Sequence, residues 1–210
     1  MSRLNARRVF LVAAEGIPFL LATALATAAT WHLGGVGPAS VPLALLVCLY
    51  LVFRDPRRVV SADPRGIVSP VDGKVVAVGT TGNGVPESES HRIVIRVNIL
   101  GTYTARCPVE GKVMDSHDLP RAGSLAETGG LWVLTDEGQN VVLQFDGNRF
   151  GIAPRAFLRY GERVGQGQRC AYLRLTKFAE VEMPGDARVL VEKGQRVSAG
   201  TDLLARLPQP

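Results

Sequence analysis

A chain of 210 residues, 46% of them hydrophobic, has room for one folded domain and an appendage but not for two large domains. Its net charge of +5 suits an anionic membrane surface, and without aromatic–basic alternation or a helix-turn-helix pattern it gives no ground for a nucleic-acid partner. Cys48, Cys107 and Cys170 are widely spaced, and His32, His91 and His117 are scattered, so neither a disulfide framework nor a metal site is expected.

The first predicted elements are apolar. From Val9 to Phe53 there is no Lys or Arg, and Glu15 is the only acidic residue. A crossing needs about 20 apolar residues, so this stretch is long enough for two, with helices near 9–31 and 39–53 around the break Trp31–Pro38. It is too long for a cleaved signal peptide. Arg3, Arg7 and Arg8 precede the pair and Arg54, Arg57 and Arg58 follow it, while the loop between has no basic residue. The positive-inside rule then places both ends, and all that follows, on the cytoplasmic side of the inner membrane. Glu15 is expected near the interface, where it stays hydrated.

Residues 1–53 are thus read as a membrane anchor and 54–210 as a β domain. Short β-branched runs at 67–68, 75–78, 93–97, 109–114, 131–134, 141–145 and 189–191 predict strands, with turns at Asp72-Gly73, Asp146-Gly147 and Pro184-Gly185. The pattern G-x-R-V-x-x-G occurs twice, at Gly161–Gly167 and Gly194–Gly200. Such paired turns occur in lipoyl-like hybrid barrels, and equally as ordinary surface turns. The fold class expected is mainly β, behind a two-helix transmembrane hairpin.

Two longer motifs lie in the same stretch. Phe53-Arg54-Asp55-Pro56-Arg57-Arg58, followed by Ser69-Pro70-Val71-Asp72-Gly73, resembles the membrane-exit and first-strand motifs of phosphatidylserine decarboxylases of the short bacterial type. Ala14–Phe19, Arg106–Gly111 and Gly161–Pro184 resemble further segments of that family. The resemblance implies self-cleavage at a Gly-Ser bond, the Ser becoming a pyruvoyl group whose ketone forms an imine with the substrate amine. Loss of CO2 from an amino acid leaves a carbanion that needs a conjugated acceptor, which no ordinary side chain supplies. It also implies that the motif Asp, here Asp72, and a central His assist cleavage or proton transfer.

At two positions this chain departs from the pattern. Counting from Pro108, the His position holds Tyr103; counting back from Pro184, the Gly-Ser position holds Thr176-Lys177. A Lys cannot be dehydrated to a pyruvoyl group. Thr176 carries a hydroxyl one residue early, which on a strand points to the opposite face, and elimination from it would give a 2-oxobutyryl group. Gly123-Ser124 is a true Gly-Ser pair, but far upstream. The expectation is therefore a pseudoenzyme of phospholipid metabolism with no cofactor, binding an anionic or aminophospholipid membrane, a protein partner or a second copy. The alternatives are an active decarboxylase with unusual processing and a hybrid-barrel adaptor. Asp72 reads first as a turn residue, Tyr103 as a half-buried strand residue, and Arg106 as a lipid-phosphate ligand or a surface ion-pair partner. Lys177 reads as a solvated strand Lys or, through the lipoyl-like pattern, a modified hairpin lysine.

Overall fold

The computed structural model describes residues 12–56, 58–60, 63–81, 89–115, 130–147 and 151–208. Arg3, Arg7, Arg8, Arg57, His117 and the pair Gly123-Ser124 lie outside them, as do residues 9–11 of the first expected helix. The chain forms two compact units, Met1–Arg57 and Arg58–Pro210.

In the first unit a 3-10 turn, Ala14–Gly16, leads into α1 (Ile17–Gly34), and α2 (Val36–Phe53) follows after one residue. The break is narrower than the eight residues expected, because Gly35 alone, at φ 76°, turns the chain, its N–H donating to Trp31 O at 3.0 Å. Glu15 sits in the 3-10 turn, at the start of the apolar span. Phe19 stacks on Phe53 with ring centroids 5.9 Å apart, and a Cβ on Gly16 would lie 2.4 Å from Phe53 Cγ, so only Gly lets the helices close there. Thr23, Thr27 and Thr30 return their hydroxyls to carbonyls one turn back, so these three hydroxyls are satisfied within the helix. Leu21, Leu25, Leu33 and Val41 are all more than 60% exposed, an apolar surface that water would not tolerate. Both helices are long and apolar enough to cross a membrane.

The second unit contains β1 (Gly66–Val68), β2 (Gly73–Thr81), β3 (Ser90–Val97), β4 (Thr104–Arg106), β5 (Gly111–Val113), β6 (Leu131–Leu134) and β7 (Asn140–Asp146). It continues with β8 (Arg155–Ala156), β9 (Arg163–Val164), β10 (Arg169–Tyr172), β11 (Phe178–Pro184), β12 (Arg188–Val189), β13 (Arg196–Val197) and β14 (Leu203–Arg206). An eight-stranded sheet runs β13-β2-β3-β11-β7-β6-β5-β9, and two three-stranded sheets run β1-β14-β12 and β4-β10-β8. The mainly β architecture behind two apolar helices is the one expected. Alternation builds the core: Ile93, Ile95 and Val97 of β3 and Ala179, Val181 and Met183 of β11 point inward with Leu143 and Phe145 of β7.

Two differences have physical causes. The run expected over 109–114 is a strand only at Gly111–Val113, because Cys107 to Glu110 are bent around Pro108. The central strand β11 was not among the expected runs, although Ala179, Val181 and Met183 alternate with Glu180 and Glu182; the two acids sit on the other face, where Arg92 Nε donates to Glu180 Oε2 at 2.9 Å. The repeated motif is part of the architecture. Its first copy contributes β9 and its second β13, the two ends of the eight-stranded sheet, and Gly161, Gly167, Gly194 and Gly200 all take φ between 71° and 97°.

Candidate functional site

The singled-out residues meet around the C-terminal end of β3. Val97 N–H donates to Lys177 O and Asn98 N–H donates to Asp72 O, each at 2.8 Å, so the residues preceding β11 and β2 flank the same strand end. The chain then loops through 98–103 into β4, where Leu173 N–H donates to Tyr103 O at 3.0 Å.

Asp72 is 8% exposed and its carboxylate is fully engaged. Oδ2 accepts from Arg58 Nη2 at 2.9 Å and Thr102 N–H at 3.0 Å, and Oδ1 accepts from Ala199 N–H at 2.7 Å. It therefore ties together three segments distant in sequence, which is more than a local turn requires. Gly101 allows the approach, since a Cβ there would lie 2.6 Å from Asp72 Cβ. Tyr103 lies in the bend before β4, not within a strand, and packs on Tyr172 at 6.1 Å, which packs on Phe157 at 5.1 Å.

Thr176 and Lys177 are in the turn ahead of β11 and not on the strand. This removes the pleat objection to Thr176, because a shift of one residue reverses the face only along an extended strand. Thr176 is 1% exposed and its hydroxyl donates to Leu173 O at 2.6 Å, whereas the Lys177 side chain is exposed. The two residues before Thr176, Arg174 and Leu175, have φ of 47° and 64°, left-handed values that cost a non-glycine residue energy and concentrate at functional sites. Lys177 is not at a hairpin tip, where a carrier lysine would sit. Its N–H donates to Gly147 O at 3.0 Å and its carbonyl accepts from Val97, which holds its backbone on both sides.

Arg106 is buried at 6% exposure, its Nη1 donating to Gly167 O at 2.9 Å, and Gly200 packs so closely that a Cβ would meet Arg106 Cδ at 2.7 Å. It braces the two repeated motifs from inside and is not a surface charge. Beside it, burial pushes the Cys107 thiol up to about 12, with the Val109 backbone pulling slightly the other way. Burial and then the neighbouring Cys107 push Cys170 well above its ordinary range. Both are thus protonated when native. Their contribution is complete below the unfolded value near 9.0 and is lost as pH rises from there toward the native values. Alkylation at pH 8 should leave Cys107 and Cys170 intact in the native chain and modify both after denaturation; stoichiometric modification of Cys107 or Cys170 in the native chain, as distinct from the exposed Cys48, would contradict this packing.

The sequence model of the family described as phosphatidylserine decarboxylase matches residues 46–205. The chain belongs to the phosphatidylserine decarboxylase family. Among its relatives is the phosphatidylserine decarboxylase proenzyme of Burkholderia ambifaria (strain MC40-6), 29% identical over 208 residues, covering 95% of this chain and 97% of the relative. The proenzymes of Burkholderia mallei (strain SAVP1) and Burkholderia pseudomallei (strain 1106a) are each 28% identical, covering 95% of this chain and 96% of their own. A solved structure, the glucose permease IIA from Mycoplasma capricolum, aligns with TM-score 0.45 at 14% identity, covering 67% of this chain and 93% of its own.

Membership in a family of proenzymes that carry a pyruvoyl group overturns the expectation of a chain without such a cofactor, and with it the ground for reading the chain as inactive. That expectation leaned on Tyr103 at the His position and on Thr176-Lys177 at the Gly-Ser position, with Thr176 set aside as lying one residue early on a strand. Among the residues at the junction, Lys177 does not fit the precursor of a keto-acyl group, whereas Thr176 has the hydroxyl that such a precursor needs.

Proposed function

We propose that the chain is a membrane-anchored carboxy-lyase acting on phosphatidylserine, made as a proenzyme and cut between Leu175 and Thr176. The observation that carries this reading is the buried Thr176 hydroxyl directly behind two left-handed residues, in the segment the family uses for processing. Attack of Thr176 Oγ1 on the Leu175 carbonyl carbon moves the acyl group from nitrogen to oxygen. Loss of the Thr176 Cα proton then expels the Leu175 carboxylate, and one water replaces the nitrogen, which leaves as ammonia. The strained turn favours the first step by destabilising the intact peptide.

The resulting keto-acyl group, one methyl larger than pyruvoyl, supplies the electron sink for decarboxylation. Asp72 positions the loop 98–103 and the start of β2 around it, and Tyr103 with Tyr172 and Phe157 supplies an aromatic wall. The purified full chain in lipid bilayers should release CO2 from carboxyl-labelled phosphatidylserine, with the release blocked by prior treatment with a carbonyl reagent. Absence of CO2 above the protein-free blank would reject the activity.

The reading extends to topology: both ends face the cytoplasm and the β unit works at the inner face of the cytoplasmic membrane. Its support is the basic residues Arg54 and Arg58 after the helices, Arg3, Arg7 and Arg8 before them, and none between 32 and 38. A reporter fused after Pro210 should be active in its cytoplasmic form; activity only in a form that requires export would reject this orientation.

A further inference from the structure

Three cations stand side by side across the edge of the eight-stranded sheet. Arg196 of β13 is directly opposite Lys74 of β2, and Lys74 is directly opposite Arg96 of β3. All three side chains are exposed, and among the described residues none is in an ion pair. Neighbouring strands are about 4.8 Å apart, so like charges in register repel, and such a row lowers the stability of the sheet unless an anion neutralises it.

The row lines a groove of about 670 Å³ together with Asn98, Ile99 and Leu100. Ile99 and Leu100 are 40% and 59% exposed, which puts apolar side chains on the lip of a basic floor. The groove opens at the same end of β3 where Asp72 and Lys177 flank Val97. Its volume lies within the range of small-ligand sites.

We infer that this groove holds the phosphodiester of a phospholipid, with Lys74, Arg96 and Arg196 on the phosphate and Ile99 and Leu100 against the first acyl carbons. An apolar lip serves no purpose for free phosphate or a water-soluble phosphodiester, and the chain carries two apolar helices that keep it among lipids. The inference rests on the reading above that phospholipid is what the chain handles, and it assigns the place of recognition to an exposed row instead of the buried Arg106.

The test uses the purified full chain in zwitterionic detergent, titrated by calorimetry with short-chain phosphatidylserine, with glycerophosphoserine and with inorganic phosphate. Each of Lys74→Gln, Arg96→Gln and Arg196→Gln should weaken short-chain phosphatidylserine binding about fivefold, and the triple variant about a hundredfold. Lys112→Gln, an exposed cation on β5, should leave binding within twofold and so separates the row from general surface charge. Ile99→Ser with Leu100→Ser should weaken the acylated ligand severalfold and leave glycerophosphoserine unchanged. Unfolding midpoints no lower than that of wild type in all variants show that the fold is retained, and those of the row variants without ligand should rise as the repulsion is relieved. Wild type binding the lipid while the triple variant binds it equally would overturn the groove and leave the lipid activity standing. Equal affinity of wild type for inorganic phosphate and the lipid would overturn the lipid as occupant. No binding of the lipid by wild type, together with no CO2 release, would remove the underlying reading instead.

Discussion

Thr176→Val should leave the chain in one piece and lower phosphatidylserine decarboxylation about 10³-fold or more, the scale on which removal of a covalent group acts. Valine keeps the shape of threonine and removes only the hydroxyl that donates to Leu173 O, so the buried turn remains filled. Thr176→Ser should still be cut and should place a pyruvoyl group, the family's own, at the new terminus. Lys177→Ala should be cut like wild type, because the Lys177 side chain is exposed and takes no part in the acyl shift. The readouts are gel mobility, labelling with a carbonyl reagent and CO2 release. Cutting of Thr176→Val at the wild-type rate, or loss of cutting in Lys177→Ala with the fold intact, would assign the chemistry to another residue.

Asp72→Ala should lower the stability of the β unit by about 3 kcal/mol, with a range of roughly 2–5 kcal/mol. The Arg58 partner is 31% exposed, so the ion pair itself is screened and contributes the smaller share. The larger share comes from Thr102 and Ala199, whose buried N–H groups lose their acceptor, at about 1–3 kcal/mol each before relaxation. Asp72→Asn keeps one acceptor oxygen and should cost less. Denaturant unfolding of the detergent-solubilised chain measures both. An Asp72→Ala chain that unfolds at the wild-type midpoint but no longer self-cleaves would show a purely chemical role for Asp72 and refute the structural one.

Much of the architecture was legible because two periodicities carried it. The stretch from Val9 to Phe53, with no Lys or Arg and Glu15 as its only acid, reads as apolar helix, and the β-branched runs between Gly, Pro and Asp read as strands. β11 was less visible because its buried acids interrupt the apolar run, although its period of two was present in Ala179, Val181 and Met183. The candidate site was legible only in its parts. Asp72, Tyr103 and Thr176 stand out along the chain, but the left-handed turn at Arg174 and Leu175 has no glycine to announce it, and Arg106 looked like a surface charge until burial placed it beneath Gly200. The cationic row was invisible, since residues 74, 96 and 196 become neighbours only through strand register.

The central claim, self-cleavage at Thr176, is tested most directly by the intact mass of the purified full-length chain. Two species are expected, one ending at Leu175 and one of 35 residues, 176–210, the latter lighter by one ammonia than simple hydrolysis would leave it. A single uncut species of 22.5 kDa would contradict the account.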